Sequence, residues 1–280
     1  MTVSTGASIA KAIGQFSDPY ERQARLYPAL LTLSPVIVLV FSLYSEKLGV
    51  LSTLVSALIV CGLLYLLYLL YLLADFARRG GKAKEPALWK NWGGMPSTQV
   101  LRHRENTTFD VASLQRYHAI LAKKMGARFP NAGEEAADPQ AADALYTSAG
   151  NMLRNATRDT KQFGLLYKDN ISYGFRRNAF GLRCVAISLC LGSLVWVGVR
   201  HGLNSWVIRF QAAATPESLL NGGELTSVAV SLAMLFLWLR YFTEQSVREA
   251  AFSYARTLVL TCEAWAPKPR AARATAEKSA

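Results

Sequence analysis

The feature that most constrains this chain is an apolar stretch that extends from about Gly49 to Ala74 without a charged residue. Its central part, Leu63 to Leu73, contains only leucine and tyrosine. An α-helix needs about 20 apolar residues to cross the hydrocarbon core of a bilayer, whereas the helices of globular proteins average about 10–14 residues. The stretch therefore predicts a membrane-spanning helix, and the alternative is a buried core helix.

Three further stretches have the length and hydropathy of spans. They extend from about Tyr27 to Tyr44, from about Phe180 to Val199 and from about Leu225 to Leu239, and none has a charged residue at its centre. The composition agrees, because 51% of the residues are hydrophobic and 18% are charged, whereas a soluble domain carries about 25% charged residues. It also excludes a disordered chain, which would be poor in aliphatic and aromatic side chains.

The order of these stretches predicts the fold class and the domain organisation. We expect an all-α membrane protein with four transmembrane helices in two hairpins, separated by a mostly helical cytoplasmic insert. The expected divisions are, in chain order, a cytoplasmic N-terminal segment 1–26, a transmembrane hairpin 27–74, a cytoplasmic domain 75–179, a second transmembrane hairpin 180–243, and a cytoplasmic helix and tail 244–280.

The distribution of basic residues predicts the orientation in the membrane. Segments 1–26, 75–180 and 244–280 together hold 26 Lys and Arg, whereas the connections 45–49 and 201–223 hold two. Basic residues favour the cytoplasmic side of a membrane protein. We therefore expect spans in a bacterial inner membrane, with both termini and the insert in the cytoplasm. Topology then explains much of the net charge of +12, and no direct binding of nucleic acid is expected.

Within the insert, loop and helix signals alternate. Glycine and proline are frequent in residues 80–109 and predict a loop. Asp110 has the position of an N-cap for a helix that ends at about Met125. Apolar residues at helical spacing from Leu145 to Leu166 predict one long helix that continues into the third span.

A second apolar stripe extends from Val247 to Trp265 and predicts a helix that continues the fourth span. Two such stripes are too apolar for both to face water. We therefore expect them either to pair with each other or to join copies of the chain in a homo-oligomer.

The most unusual stretch of the insert extends from Trp89 to Gln99 and combines tryptophan, glycine and proline. We interpret it, together with the arginines that follow, as a nucleotide-binding loop. Tryptophan would stack on a base, hydroxyl groups and the N–H groups beside the glycines would bind phosphate, and arginines on one face of an extended segment would neutralise its charge. The Walker pattern G-x-x-x-x-G-K-[ST] is absent. The candidate residues are Trp92, Gly93, Gly94, Ser97, Thr98, Arg102 and Arg104.

This interpretation has alternatives. The tryptophans would also suit a loop that anchors at the membrane surface. Arg154 and Arg158 share a helix face and form a second candidate ligand site, although a basic residue there is also typical of a solvated or helix-pairing charge. Arg176 and Arg177 precede the third span, where we expect them to face anionic lipid headgroups.

The sequence predicts no catalytic residue, metal ligand or cofactor. It contains no H-E-x-x-H, no G-x-S-x-G and no C-x-x-C pattern. His103 and His118 have no acidic or cysteine neighbour at metal-ligand spacing, so we expect them to be structural or exposed. An enzyme is therefore not the favoured interpretation, although the sequence leaves it open.

Three short segments carry a resemblance to uncharacterised bacterial four-span proteins with a cytoplasmic insert: Trp92–Gln99, Thr157–Asp159 and Tyr173–Asn178. The architecture also resembles the membrane effectors of cyclic-nucleotide anti-phage defence systems. In that class, a cytoplasmic part senses a cyclic nucleotide and the spans then perturb the inner membrane. This second resemblance is one of architecture alone and carries no residue assignments.

These observations favour a non-enzymatic, oligomeric effector or sensor of the inner membrane, whose insert binds a ligand or partner and alters the packing of the spans. Two alternatives stay open: a membrane-bound enzyme that uses the Trp/Gly loop, and a scaffold subunit associated with a transporter. An enzyme would bring acid–base or nucleophilic groups together. A sensor would instead have a basic, aromatic pocket without such groups.

The charge asymmetry makes a testable prediction of topology. A reporter fused after Ala280, or inserted near Gly133, should be cytoplasmic, and one inserted near Ala213 should be periplasmic. Paired alkaline phosphatase and fluorescent-protein fusions measure this, because each reporter is active on one side of the membrane. A periplasmic reporter at the C-terminus would contradict the four-span arrangement.

Overall fold

The structure is a computed structural model that describes residues 18–49, 53–212 and 219–265. These residues form helices as their only regular elements. In chain order the elements are α1 (Pro19–Glu21), a π-helical turn (Arg22–Leu26), α2 (Tyr27–Gly49), α3 (Thr53–Asn91), α4 (Pro96–Gln99), α5 (Val111–Met125), α6 (Ala132–Ala137), α7 (Pro139–Ala156), α8 (Gly164–Val199), α9 (Leu203–Ala212), α10 (Gly222–Arg240), α11 (Glu244–Leu260) and a 3₁₀ turn (Thr261–Trp265).

Three of the four predicted spans lie in helices that are long and apolar enough to cross a membrane. These helical stretches are Pro19–Tyr44, Gly164–Val199 and Gly222–Arg240. The remaining predicted span, 49–74, falls mostly in α3, but residues 50–52 and the side chains of 53–64 lie outside the described part of the chain. The prediction of a second span is therefore left untested.

The first helix begins at a capping residue, Asp18. The Asp18 side chain accepts a hydrogen bond from the Tyr20 backbone N–H at 2.9 Å, and Pro19 occupies the first turn. Both features favour helix initiation, because an oxygen satisfies an otherwise unpaired N–H and proline has none to satisfy.

The chain divides into two units, and the candidate spans lie mainly in unit 1, residues 1–85 and 171–247. Its interior has two clusters of buried apolar side chains, many of them small. A Cβ on Gly181 would lie 2.5 Å from the Gly81 backbone nitrogen, so α3 and α8 approach more closely than larger residues allow. The first cluster contains Ala77, Ala179, Leu182, Ala186, Cys190, Trp238 and Phe242, and the second contains Leu26, Ala29, Leu33, Leu70 and Ala74.

This close approach explains why the predicted loop over 80–109 is wrong in its first part. Helix α3 continues through Gly80, Gly81 and Pro86 and ends at Asn91. A Cβ on Gly81 would lie 2.9 Å from the Arg177 carbonyl oxygen. Glycine therefore serves helix packing at this position, whereas sequence reasoning interpreted it as a helix breaker.

The predicted headgroup contact of Arg177 is also wrong. Its guanidinium is buried and donates to Glu85 Oε1 at 2.8 Å. The Tyr173 hydroxyl donates to the same oxygen at 2.7 Å, and the Asn178 side chain donates to the Ala24 carbonyl at 2.7 Å. Residues 173–178 thus form a buried polar patch that ties α8 to α3 and to the start of the first helix.

The two predicted apolar stripes pack together in unit 2, residues 86–170 and 248–280. One core contains Ala149, Leu153 and Leu166 from the first stripe, and Leu258 and Cys262 from the second. The expectation that the stripes pair is therefore confirmed within one chain, and the homo-oligomer stays a prediction.

The first stripe is not one long helix, although its last residue, Leu166, lies in α8, which continues through Gly174 into the third span as predicted. The second stripe is not continuous with the fourth span. The first is interrupted between α7 and α8, where the Thr157 hydroxyl donates to the Leu153 carbonyl at 2.8 Å and Asp159 accepts from the Lys161 N–H at 2.9 Å. Such side-chain bonds compete with helical bonding and favour a turn. The second stripe belongs to α11, which is separated from α10 by residues 241–243.

Candidate functional site

The predicted ligand loop begins with a tight turn at the end of α3. Gly93 and Gly94 have φ angles of 85° and 133°. Residues other than glycine rarely adopt this backbone conformation. A Cβ on Gly94 would lie 2.7 Å from an Arg102 guanidinium nitrogen. Glycine at this position therefore makes room for an arginine of the same chain. Trp92 beside it is buried, so its ring is not an open surface for stacking a base.

The segment 92–104 is not extended as predicted, because it contains the short helix α4 and packs along one face of α7. Residues of this face recur at helical spacing: Asp143, Thr147, Gly150 and Arg154. The Thr147 and Thr98 hydroxyls are 2.9 Å apart, and Arg154 donates to the Ser97 hydroxyl at 3.2 Å. A Cβ on Gly150 would lie 3.2 Å from that hydroxyl, so glycine permits the close contact.

Arg102 contributes a bidentate ion pair to this contact. Its Nε and Nη2 atoms donate to the two carboxylate oxygens of Asp143 at 2.9 and 2.7 Å, and Nη1 donates to the Gly93 carbonyl at 2.9 Å. The residue is only 9% exposed. Bidentate arginine–carboxylate pairs fix geometry as well as charge. Arg102 therefore holds the turn against α7, and its charge is already neutralised.

Arg104 joins the same network. It donates to Asp143 at 2.7 Å and to Glu135 at 2.7 Å. The Glu135 carboxylate is 1% exposed and also accepts from the backbone N–H of His103 at 2.7 Å and from the Tyr146 hydroxyl at 2.8 Å. The two carboxylates thus bind both arginines that the sequence assigned to a phosphate.

The charges explain the titration of these acids. Burial alone would raise the pKa of Glu135, but bonds from the His103 N–H, the Tyr146 hydroxyl and Arg104 outweigh it and lower the pKa. Burial would likewise raise the pKa of Asp143, and its bonds with Arg102 and Arg104 lower it. Both acids are therefore ionised at neutral pH.

The structure brings most of the predicted site residues together, and they bond to groups of the same chain. Gly93, Gly94, Ser97, Thr98, Arg102, Arg104 and Arg154 all lie in this contact with α7. Arg158 does not join them, and the prediction that it shares a helix face with Arg154 is wrong. It lies beyond the C-terminal end of α7, where it is exposed and donates to Asn155 at 2.8 Å.

Sequence reasoning missed Asp143, Glu135 and Tyr146. The spacing of Asp143, Thr147, Gly150 and Arg154 was a usable signal, since these positions share one helix face. Glu135 was visible only as part of an acidic cluster, and nothing in that pattern distinguishes it from its exposed neighbour Glu134.

An open groove lies beside the network in unit 2. It has a volume of about 500 Å³. No side chain with a full formal charge lines it, and aromatic rings and polar groups are both present. The lining residues are His103, Val111, Gln115, His118, Phe129, Pro130, Asn131, Ala132 and Gly133.

His118 is the most constrained of these residues. Its ring is buried and stacks on Tyr146 with centroids 5.4 Å apart, while the His103 ring meets it edge-on at 5.0 Å. Nε2 lies 2.8 Å from the Leu101 carbonyl oxygen. Since a carbonyl only accepts, Nε2 carries the proton of the neutral ring and Nδ1 is an acceptor. Burial lowers the pKa of His118 from 6.5 to about 4.

Within the described residues, no group of three or more histidine, cysteine, aspartate or glutamate side chains is arranged to hold a metal ion.

The low pKa of His118 makes stability depend on pH. An unfolded histidine binds its proton near pH 6.5, whereas the folded one binds it near pH 4, so the unfolded state holds more protons between these values. Stability should therefore fall as pH decreases from about 6.5 to 4. We expect His118→Gln, whose amide can still donate to Leu101, to show a weaker decrease in thermal midpoint over this range. His103→Gln is the matched control.

Circular dichroism of the detergent-solubilised protein at a series of pH values measures the effect. Equal pH dependence in the wild type and His118→Gln would contradict a buried neutral His118.

No protein-family model, curated protein or solved structure matches this chain. The resemblance to bacterial four-span proteins therefore stays a hypothesis from the sequence.

Proposed function

We propose that this chain is a sensor or effector of a bacterial inner membrane, with four spans and both termini in the cytoplasm. Unit 2 is its cytoplasmic part. A ligand bound there alters the packing of the spans or the integrity of the membrane. The observation that carries this proposal is the way in which the two units are joined.

The boundaries between the units fall inside three helices. Residues 85 and 86 lie within α3, residues 170 and 171 within α8, and residues 247 and 248 within α11. Flexible linkers rich in glycine and serine decouple the domains they join, whereas helical segments act as semi-rigid spacers. The chain thus passes from one unit to the other within helices, with Pro86 at the boundary in α3, and this continuity supports the proposal of a sensor.

The surfaces of unit 1 support its position in a membrane. Large apolar side chains are exposed on several of its helices, including Tyr65, Leu67 and Tyr68 on α3 and Leu232 and Phe236 on α10. Soluble monomers rarely expose apolar patches of this extent. These faces support lipid as the surroundings of unit 1. The asymmetric distribution of Lys and Arg supports the cytoplasm as the location of unit 2.

The groove beside His118 is the ligand site that we favour over the 92–104 segment. Arg102 and Arg104 are bound by carboxylates of their own chain, so a phosphate would have to displace Asp143 and Glu135. The groove instead offers aromatic rings, the Gln115 amide and no formal charge. Ligand pockets commonly combine apolar walls with a few polar groups. We infer a neutral, partly aromatic ligand, such as the base of a nucleoside.

The nucleotide hypothesis then takes a different form. In an effector of the cyclic-nucleotide class, the base would lie in the groove and its phosphates would lie outside it. The hydrogen bonds of the Trp/Gly loop argue against an enzyme that uses it. Its Ser97 and Thr98 hydroxyls already bond to side chains of α7.

Calorimetry of the full-length protein in detergent tests the site. The titrants are linear and cyclic nucleotides and the matching nucleosides. We predict that a nucleoside binds at least as tightly as its nucleotide, and that Val111→Asp weakens binding at least tenfold by placing a charge in the groove. Leu165→Asp is the matched control, because both residues are exposed and lie in the first turn of a helix of unit 2.

Two results would contradict the groove. Equal binding by the wild type and Val111→Asp would place the ligand elsewhere. Loss of binding in Arg154→Ala/Arg158→Ala, with normal binding in Val111→Asp, would favour the phosphate site predicted from the sequence. If no titrant binds below about millimolar concentration, which is weaker than about 4 kcal/mol, nucleosides and nucleotides are excluded as ligands.

A further inference from the structure

Helix α9 connects two candidate spans and has its polarity reversed relative to a helix that faces water. It follows α8 after a turn at Gly202, whose φ angle is 77°. A surface helix normally directs its apolar stripe toward the protein and its polar residues outward. In α9 the contacts of the side chains show the opposite arrangement.

The polar side chains of α9 bond to the protein. The Ser205 hydroxyl donates to the His201 carbonyl at 2.7 Å. Arg209 donates to the Leu219 carbonyl and to Glu224 Oε2, both at 3.1 Å. The indole N–H of Trp206 donates to the Gly198 carbonyl. These residues define the inner face of the helix.

Among the described side chains of α9, the outer face is largely apolar, and Gln211 is its one exposed polar residue. Val207, Ile208 and Phe210 are 58%, 66% and 67% exposed. Water is an unfavourable surrounding for three neighbouring large apolar side chains, because the free-energy cost grows with the apolar area that stays exposed. Their surroundings are therefore expected to be apolar.

Glu224 fixes the orientation of the helix. This carboxylate is fully buried in the first turn of α10 and accepts from His201 Nε2 at 2.6 Å and from Arg209 at 3.1 Å. It also accepts from the Asn221 backbone N–H at 2.9 Å as part of a capping box. Residues before and within α9 are thus bonded to α10, and the apolar face has a defined direction.

Large apolar side chains are also exposed at the ends of the two candidate spans that α9 connects. Val195, Trp196 and Val199 are exposed at the end of α8, and Leu225 is exposed at the start of α10. Interfacial helices bury such a face at the boundary between headgroups and acyl chains. Tryptophan and arginine are also frequent at this depth.

We propose that the outer face of α9 is a lipid-binding surface that inserts into the periplasmic leaflet of the inner membrane. Its partners are the upper acyl chains of the lipids. The helix lies along the interface and anchors the connection between the third and fourth spans. The side of the membrane depends on the topology given under the proposed function, whereas the contact with lipid follows from the faces of the helix.

Fluorescence quenching in vesicles tests the proposal. Single cysteines are introduced as Ile208→Cys or Phe210→Cys in a full-length background with the four native cysteines replaced by alanine. They are labelled with an environment-sensitive dye and reconstituted in phosphatidylethanolamine and phosphatidylglycerol. We expect stronger quenching by lipids brominated near the headgroup than by lipids brominated near the chain end, and little quenching by iodide.

Two control positions separate the possible failures. Leu232→Cys lies at an exposed position midway along α10, and Glu105→Cys lies at an exposed position of unit 2. Deep brominated lipids should quench the dye at 232, and iodide should quench it at 105. Quenching at 232 without quenching at 208 and 210 would overturn the α9 proposal alone. Failure of lipid quenching at 232 as well would overturn the membrane-spanning arrangement.

Two other outcomes would also overturn the lipid surface. Strong iodide quenching at 208 and 210 would show that the face is in water. A disulfide between two Ile208→Cys chains, without lipid quenching at either position, would show that a second copy covers it.

Discussion

The organisation of unit 2 depends on two carboxylates, the buried Glu135 and the partly exposed Asp143. Glu135 and Asp143 receive charge-assisted hydrogen bonds from two arginines, and Glu135 also accepts from a buried tyrosine hydroxyl. A buried charge destabilises a fold unless it is paired and hydrogen-bonded. The segment 92–104 must therefore lie along α7, because only there do Arg102 and Arg104 neutralise the acids. This contact also forms one wall of the groove through His103, beside His118, whose pKa is lowered by burial.

A corresponding constraint acts in unit 1, where apolar surface points outward and polar groups point inward. The Glu85–Arg177 pair and the Glu224 cluster lie near different ends of α8, and both are closed within the unit. An apolar solvent around the helices accounts for both observations, since unpaired polar groups are unfavourable there and exposed leucine is not. The reversed polarity of α9 follows from the same requirement.

The sequence predicted the features that depend on local chemistry. The helix that begins after Asp110 and three of the spans follow from a side-chain oxygen near a helix start and from long apolar runs. The pairing of the two apolar stripes followed from their excess of apolar surface. Gly81 and Arg177 could not be predicted, because their roles depend on which helix lies opposite. Arg102 was recognised as unusual, but its partner Asp143 lies far along the chain, and only the fold shows that its charge is already bound.

The most direct test of this account is hydrogen exchange of the full-length protein with Asp143→Asn, because this change removes the charge that both arginines share. We predict that backbone amides in 92–104 exchange at least about tenfold faster, which corresponds to about 1.4 kcal/mol. The exposed substitution Glu105→Gln should leave the exchange of these amides unchanged. If Asp143→Asn exchanges at the wild-type rate throughout 92–104, the paired carboxylates do not hold this segment and the account is wrong.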